Sequence, residues 1–208
     1  LIVFLTVGSS LDIYLSGLFY GVDEKFVLQS YYLITIFMRQ FILPVTILYL
    51  LLIPCLTLFF PFKKIYFNFN FKSKDVLFIF SAVLFNLLIV VNVMLKNTWG
   101  RSRPNDILQL GGDEVFTPWF KISDSCISNC SFVSGDASVG FSIIALFFIT
   151  KKIIYLWLSI FLGLLLGTIR ILEGGHFLSD VIIAGFLIFI LTYLEFYFYN
   201  KKFSDNAY

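Results

Sequence analysis

Lys96, Arg103, Ser134, Gly135, Asp136, Arg170, His176 and Asp180 are the residues of this 208-residue chain best suited to chemistry. They fall in three polar clusters, 96–104, 134–136 and 170–180, within a sequence that is 59% hydrophobic. The last cluster holds the only histidine, with a carboxylate four positions further on. Lysine and arginine neutralise the oxygens of an anion, and a guanidinium fork offers paired hydrogen bonds. A helix stacks His176 and Asp180 on one face; the carboxylate fixes one ring nitrogen and leaves the other free as nucleophile or base. Ser134 and Gly135 fit a helix start, where free amides favour an anion. Polar groups of this kind are costly in so apolar a chain unless they meet one another or a charged ligand. Together they suit phosphate chemistry at a membrane surface.

Long apolar segments must position these clusters. Mean hydropathy is +0.92 and only 13% of residues are charged, so the expectation is an all-α integral membrane protein forming a single domain over residues 1–208. Runs of spanning character cover Phe41–Phe60, Val76–Leu95, Ala137–Ile149, Ile153–Leu172 and Val181–Tyr199. Leu1–Val7 reads as the remainder of a truncated first helix, which makes a bundle of six transmembrane helices. Leu11–Tyr20 and Tyr31–Gln40 mix polar and apolar residues and read as helices lying in the interface.

Helix parity then makes a prediction. Lys96 ends the third span, Ser134 opens the fourth, Arg170 ends the fifth and His176 opens the sixth, so all four lie on one side. Eight lysines occupy the opposite connectors and tail: Lys63, Lys64, Lys72, Lys74, Lys151, Lys152, Lys201 and Lys202. The positive-inside bias assigns that face to the cytoplasm and the clusters to the outer face. Seven basic residues share the cluster face, but four of them belong to the clusters themselves.

Some classes are excluded or disfavoured. A net charge of +2 with no basic arm argues against a nucleic-acid partner. Cys126 and Cys130 lack a second ligand pair for zinc and suit a local disulfide in an oxidising compartment, whereas Cys55 sits in an apolar run. No metal site, cofactor or required protein partner is expected. Arg101 and Lys121 are candidate contacts to a second phosphate or a sugar.

Lys96, six residues, Arg103-Pro104; Ser134-Gly135; and Arg170, five residues, His176, three residues, Asp180 resemble the three-part signature of the type 2 phosphatidic acid phosphatase superfamily. The match covers residues 96–180. The runs 99–104, 129–138 and 174–180, with 11–20 in weaker support, resemble its lipid A 4'-phosphatase branch. The resemblance implies metal-independent dephosphorylation through a phosphohistidine, with His176 attacking phosphorus and Asp180 orienting it. Lys96, Arg103, Arg170, Ser134 and Gly135 would hold the phosphate. Asp136 stands where the superfamily commonly has a histidine acting as acid, and Ile169 where a serine is usual.

The expected setting is a bacterial inner membrane, with lipid A as substrate and the site facing the periplasm. Isoprenyl or glycerolipid phosphates are alternatives within the class. A catalytically impaired lipid-binding homologue and a lipid or anion transporter are the alternatives outside it.

Overall fold

The computed structural model describes residues 2–59 and 71–204. Among them the chain is helical: α1 (Ile2–Leu18), α2 (Tyr32–Phe37), α3 (Leu43–Phe59), α4 (Ser73–Leu84), α5 (Lys96–Thr98), α6 (Gly135–Phe141), α7 (Ile144–Thr150), α8 (Ile153–Leu172) and α9 (Leu178–Ser204). Among the described residues four helical stretches are long and apolar enough to cross a membrane: Leu33–Leu56, Ser73–Thr98, Ile153–Leu172 and Leu178–Lys201. At about 1.5 Å per residue, even a 20-residue helix is about 30 Å long, the thickness of a bilayer core. Trp157, Phe161, Phe186 and Phe198 point outward from α8 and α9. An apolar belt of that kind suits lipid better than water.

Three boundaries differ from the sequence expectation. The first apolar run and the expected interfacial segment Leu11–Tyr20 form one helix, α1, which runs through Gly8-Ser9-Ser10 without a break. Tyr31–Gln40 does not form a separate interfacial helix. It leads through the π-helical turn Met38–Ile42 into α3. Pro44 explains the widened turn, because it has no N–H for the carbonyl one turn back.

The expected span Ala137–Ile149 is two short helices, α6 and α7, meeting at Ser142-Ile143. Ser138 and Ser142 bond back to the carbonyls of Ser134 and Ser138, and Ser159 Oγ on α8 donates to the Phe141 carbonyl at 2.7 Å. Such back-bonding bends helices. The connector residues Lys63 and Lys64 and the Phe60 end of the expected second span lie outside the described residues.

Close backbone approach locks α6 between α8 and α9. A Cβ on Gly140 would lie 2.5 Å from the Gly163 amide nitrogen, and one on Gly163 would lie 2.4 Å from the Phe141 ring. Small residues at helix crossings allow this packing in membranes. At one end of the bundle Lys72, Lys74, Lys151 and Lys152 line a common cleft with Tyr199. The three polar clusters gather elsewhere, around the starts of α6 and α9, as helix parity requires.

Between α5 and α6 the loop folds back on itself. Ser123, Cys126, Cys130 and Ser131 donate backbone N–H groups to the carbonyls of Trp99, Gly100, Lys96 and Arg101. Gly100 makes this possible: its φ is +66°, and a Cβ there would fall 1.5 Å from the Ser123 carbonyl oxygen. Trp99 stacks on Phe132 at 4.6 Å and donates its Nε1 proton to the Trp119 carbonyl.

Candidate active site

The loop and helix ends bring the three clusters together. A Cβ added to Gly135 would lie 3.3 Å from Lys96 Nζ, so this glycine lets the ammonium approach the start of α6. Ser134 caps that helix, its Oγ accepting from the Ala137 N–H at 3.5 Å. Its own N–H donates to the Asp180 carbonyl at 3.2 Å. Arg170 ends α8 and curls over the turn to α9, where a Cβ on Gly175 would meet its guanidinium at 2.3 Å. The His176 N–H donates to the Arg170 carbonyl at 3.3 Å.

His176 is buried, and its relation to Asp180 is indirect. Asp180 Oδ2 lies 3.7 Å from Nδ1, beyond hydrogen-bond length. Ser131 fills the gap. Its Oγ donates to Asp180 Oδ2 at 2.5 Å and stands 3.4 Å from His176 Nδ1. With the serine proton committed to the carboxylate, the hydroxyl oxygen is left to accept from Nδ1–H, which leaves Nε2 with the lone pair. Burial pushes the His176 pKa down to about 4, outweighing the pull of Asp180, and the charges of Arg170 and Lys96 push the same way. The ring is therefore neutral at neutral pH.

Behind this pair lies a buried ionic network. Arg101, 0% exposed, donates from Nη1 to Asp180 Oδ1 at 2.5 Å and from Nη2 to Asp12 Oδ2 at 2.8 Å. Its Nε donates to the Thr117 carbonyl at 2.8 Å, and its guanidinium lies 4.3 Å from the Phe177 ring centroid. Asp12 also accepts from the Ser179 amide and hydroxyl. Every charge here has a partner, the condition under which buried ions are tolerated. The expectation that Arg101 touches a second phosphate or sugar is corrected: it is walled in by α1, α9 and the loop, and it acts on Asp180. Lys121 is exposed in the loop.

The phosphate-gripping side is more open. Arg103 Nη2 donates to the Asn129 carbonyl at 2.6 Å, and Lys96 Nζ donates to Asn129 Oδ1 at 3.2 Å. Cys126 and Cys130 are joined as a disulfide with their Cα atoms 5.7 Å apart, so the covalent loop carries Asn129 and is followed at once by Ser131. Asp136 Oδ2 lies 3.3 Å from Arg39 Nε and 3.6 Å from Arg170 Nε. Arg170 Nη1 also donates to Glu173 Oε2. No group of three or more His, Cys, Asp or Glu side chains among the described residues is arranged to hold a metal ion.

The structure thus brings together Lys96, Arg103, Ser134, Gly135, Asp136, Arg170, His176 and Asp180. It adds Asp12, Arg39, Ser131 and Glu173, which the sequence alone did not single out for a role. Ser131 stood within a polar run already noted, but nothing in its spacing tied it to a histidine 45 residues away.

Residues 75–204 match the PAP2 superfamily. The chain is 38% identical over 141 residues to a lipid A 4'-phosphatase of Francisella tularensis subsp. novicida, covering 65% of this chain and 64% of that protein. It is 36% identical over 106 residues to one of Rhizobium leguminosarum, covering 50% of this chain and 46% of that protein. A third, of Rhizobium etli, is 38% identical over 103 residues, covering 48% of this chain and 40% of that protein. The chain thus spans less than two thirds of the length of each. No solved structure matches it. The family match takes in Lys96, the α6 start, Arg170, His176 and Asp180, the groups that the fold draws into one cradle, and so this chain belongs to the PAP2 superfamily.

Proposed function

We propose that the protein removes a phosphate monoester from a membrane lipid through a phosphohistidine formed on His176, with lipid A as the favoured substrate. The observation that carries this reading is a buried, neutral imidazole whose Nδ1 side is committed to Ser131 and Asp180, set beside Lys96, Arg103 and Arg170. The names of the three relatives support the choice of lipid.

Phosphoryl transfer asks a protein mainly for positioning and charge stabilisation. Lys96, Arg103 and Arg170 take the phosphate oxygens, and His176 Nε2 forms a bond to phosphorus as the phosphorus–oxygen bond to the lipid breaks. Positive charge then grows on the ring, and Ser131 relays it to Asp180. Asp136 is assigned as the group that gives the lipid oxygen its proton. Water next attacks phosphorus, giving a proton to Asp136 as the nitrogen–phosphorus bond breaks, which releases inorganic phosphate and restores His176.

The eight lysines of the opposite connectors and tail favour a periplasmic site. The test is the lipid profile of cells that express the protein. Loss of one phosphate group from lipid A in those cells, and not in cells expressing His176→Ala, is expected. An unchanged profile with protein present in the membrane overturns the reading.

A further inference from the structure

Four polar atoms beside the phosphate cradle are buried and have no hydrogen-bond partner among the described residues: Thr35 Oγ1, Asp136 Oδ2, Arg170 Nε and Glu173 Oε1. Asp136 Oδ2 meets Arg39 Nε at 3.3 Å and Arg170 Nε at 3.6 Å as ion pairs, without hydrogen-bond geometry. Orphaned buried polar atoms are rare, and a cluster of them calls for an explanation. All four residues line one or other of two cavities. The first, about 320 Å³, is lined by Gln29, Thr35, Arg39, Arg103, Arg170 and Glu173 among others. The second, about 470 Å³, is lined by Thr35, Arg39, Gln40 and Asp136 among others. Thr35 and Arg39 belong to the walls of both, so the two cavities adjoin along the turn from α2 into the π-helical segment.

The chemistry of this lining is mixed. A bare phosphate needs cations, yet two carboxylates, Asp136 and Glu173, stand among the arginines. Arg39 and Arg170 offset their charge, but among the described residues the oxygens Asp136 Oδ2 and Glu173 Oε1 still lack hydrogen-bond donors, which a phosphate dianion cannot supply. Hydroxyl groups are such donors, and the same groups accept from Thr35 Oγ1 and Arg39. A diacylglycerol or prenyl phosphate carries no hydroxyl beside its phosphate, whereas a phosphorylated sugar carries several. The combined space also exceeds that of a phosphate and falls in the range of small-ligand pockets.

We infer that these two cavities form a sugar subsite for the headgroup of a phosphorylated glycolipid, with Thr35 as a specificity-determining residue. This rests on the phosphatase reading above and names the part of the substrate that the fold recognises. Sites built to hydrogen-bond a substrate hydroxyl discriminate by leaving their own polar groups unpaired when it is missing.

The test reads binding and turnover separately. In detergent micelles, kcat and KM are measured for a glucosamine-based lipid phosphate and for dioleoylglycerol phosphate, with wild type, Thr35→Val and Thr35→Ser. The Kd of the dephosphorylated glucosamine lipid is measured with the same proteins. For Thr35→Val the expected result is a rise of about tenfold in both KM and Kd for the sugar lipid, with KM for dioleoylglycerol phosphate changed less than twofold. Thr35→Ser, which keeps the hydroxyl, should restore both. A Kd that discriminates in this way without any turnover by wild type supports the subsite and overturns the phosphatase reading. An equal effect of Thr35→Val on both substrates, or no effect on the sugar lipid, overturns the subsite.

Discussion

Ser131 stands between Asp180 and His176, donating to the carboxylate at 2.5 Å and lying 3.4 Å from the ring. The carboxylate therefore acts on the imidazole through a hydroxyl. Ser131→Ala removes the acceptor for Nδ1–H and lets the ring take the other tautomer. The expected loss is about 100-fold in kcat with KM little changed, the lower end of the range for a positioned proton-handling group. Steady-state phosphate release measures it, and a full-rate Ser131→Ala protein would remove the relay.

Arg101 neutralises Asp180 and Asp12 together, so its loss leaves two buried carboxylates without a cation. Arg101→Met should lower stability by about 3–5 kcal/mol, the cost of breaking a buried ion pair from one side. Arg101→Lys should recover little, because a point charge cannot reach both carboxylates and the Thr117 carbonyl at once. Unfolding in mixed micelles reports the difference. A wild-type midpoint for Arg101→Met would show that the network adds nothing.

Protonation of His176 sets a pH dependence whose sign follows from its pKa of about 4, below the ordinary value of 6.5. As pH falls, the unfolded chain takes up the proton first. The stabilisation is fully present above about pH 6.5 and is lost as pH falls toward about 4, amounting to about 3 kcal/mol. Activity follows the folded value. An acidic limb of kcat/KM due to His176 should appear only near pH 4, because that ratio reports the free enzyme. A limb near pH 6.5 that shifts on Ser131→Ala would contradict the buried, neutral ring.

Asp136 is tested by Asp136→Asn, which keeps the shape and removes the exchangeable acid. Slower release at neutral pH is expected. Turnover and pH profile both like those of wild type would exclude it as the proton donor, leaving it as the partner of Arg39 and Arg170.

Reduction of the Cys126–Cys130 bond frees the loop that presents Asn129 to Lys96 and Arg103. Cross-links act largely by restricting alternatives to the native arrangement. A reductant, or the Cys126→Ala/Cys130→Ala protein, should raise KM several-fold and lower kcat less. An unchanged KM in protein shown to carry free thiols would detach the loop from the phosphate grip.

Spacing made much of this site readable before any fold was known. Lys96 to Arg103 and Arg170 to Asp180 are separations that helix ends preserve, and helix parity was enough to place all of them on one side. Partners at long sequence separation were not readable. Asp12 meets Arg101 across 89 residues, and Ser131 meets Asp180 across 49. No local period encodes such contacts; they arise from how α1 and the loop pack on α9. Helix boundaries failed where a proline widened a turn at Met38–Ile42 and where serines bent α6 from α7. Hydropathy is blind to both.

Alkaline quench of the protein turning over a radiolabelled lipid phosphate, followed by mass mapping, tests the nucleophile most directly. Phosphohistidine survives base, so label on the peptide containing His176, absent in His176→Ala together with turnover, is the predicted result. Phosphate release by His176→Ala at the wild-type rate, or label on another residue, would contradict it.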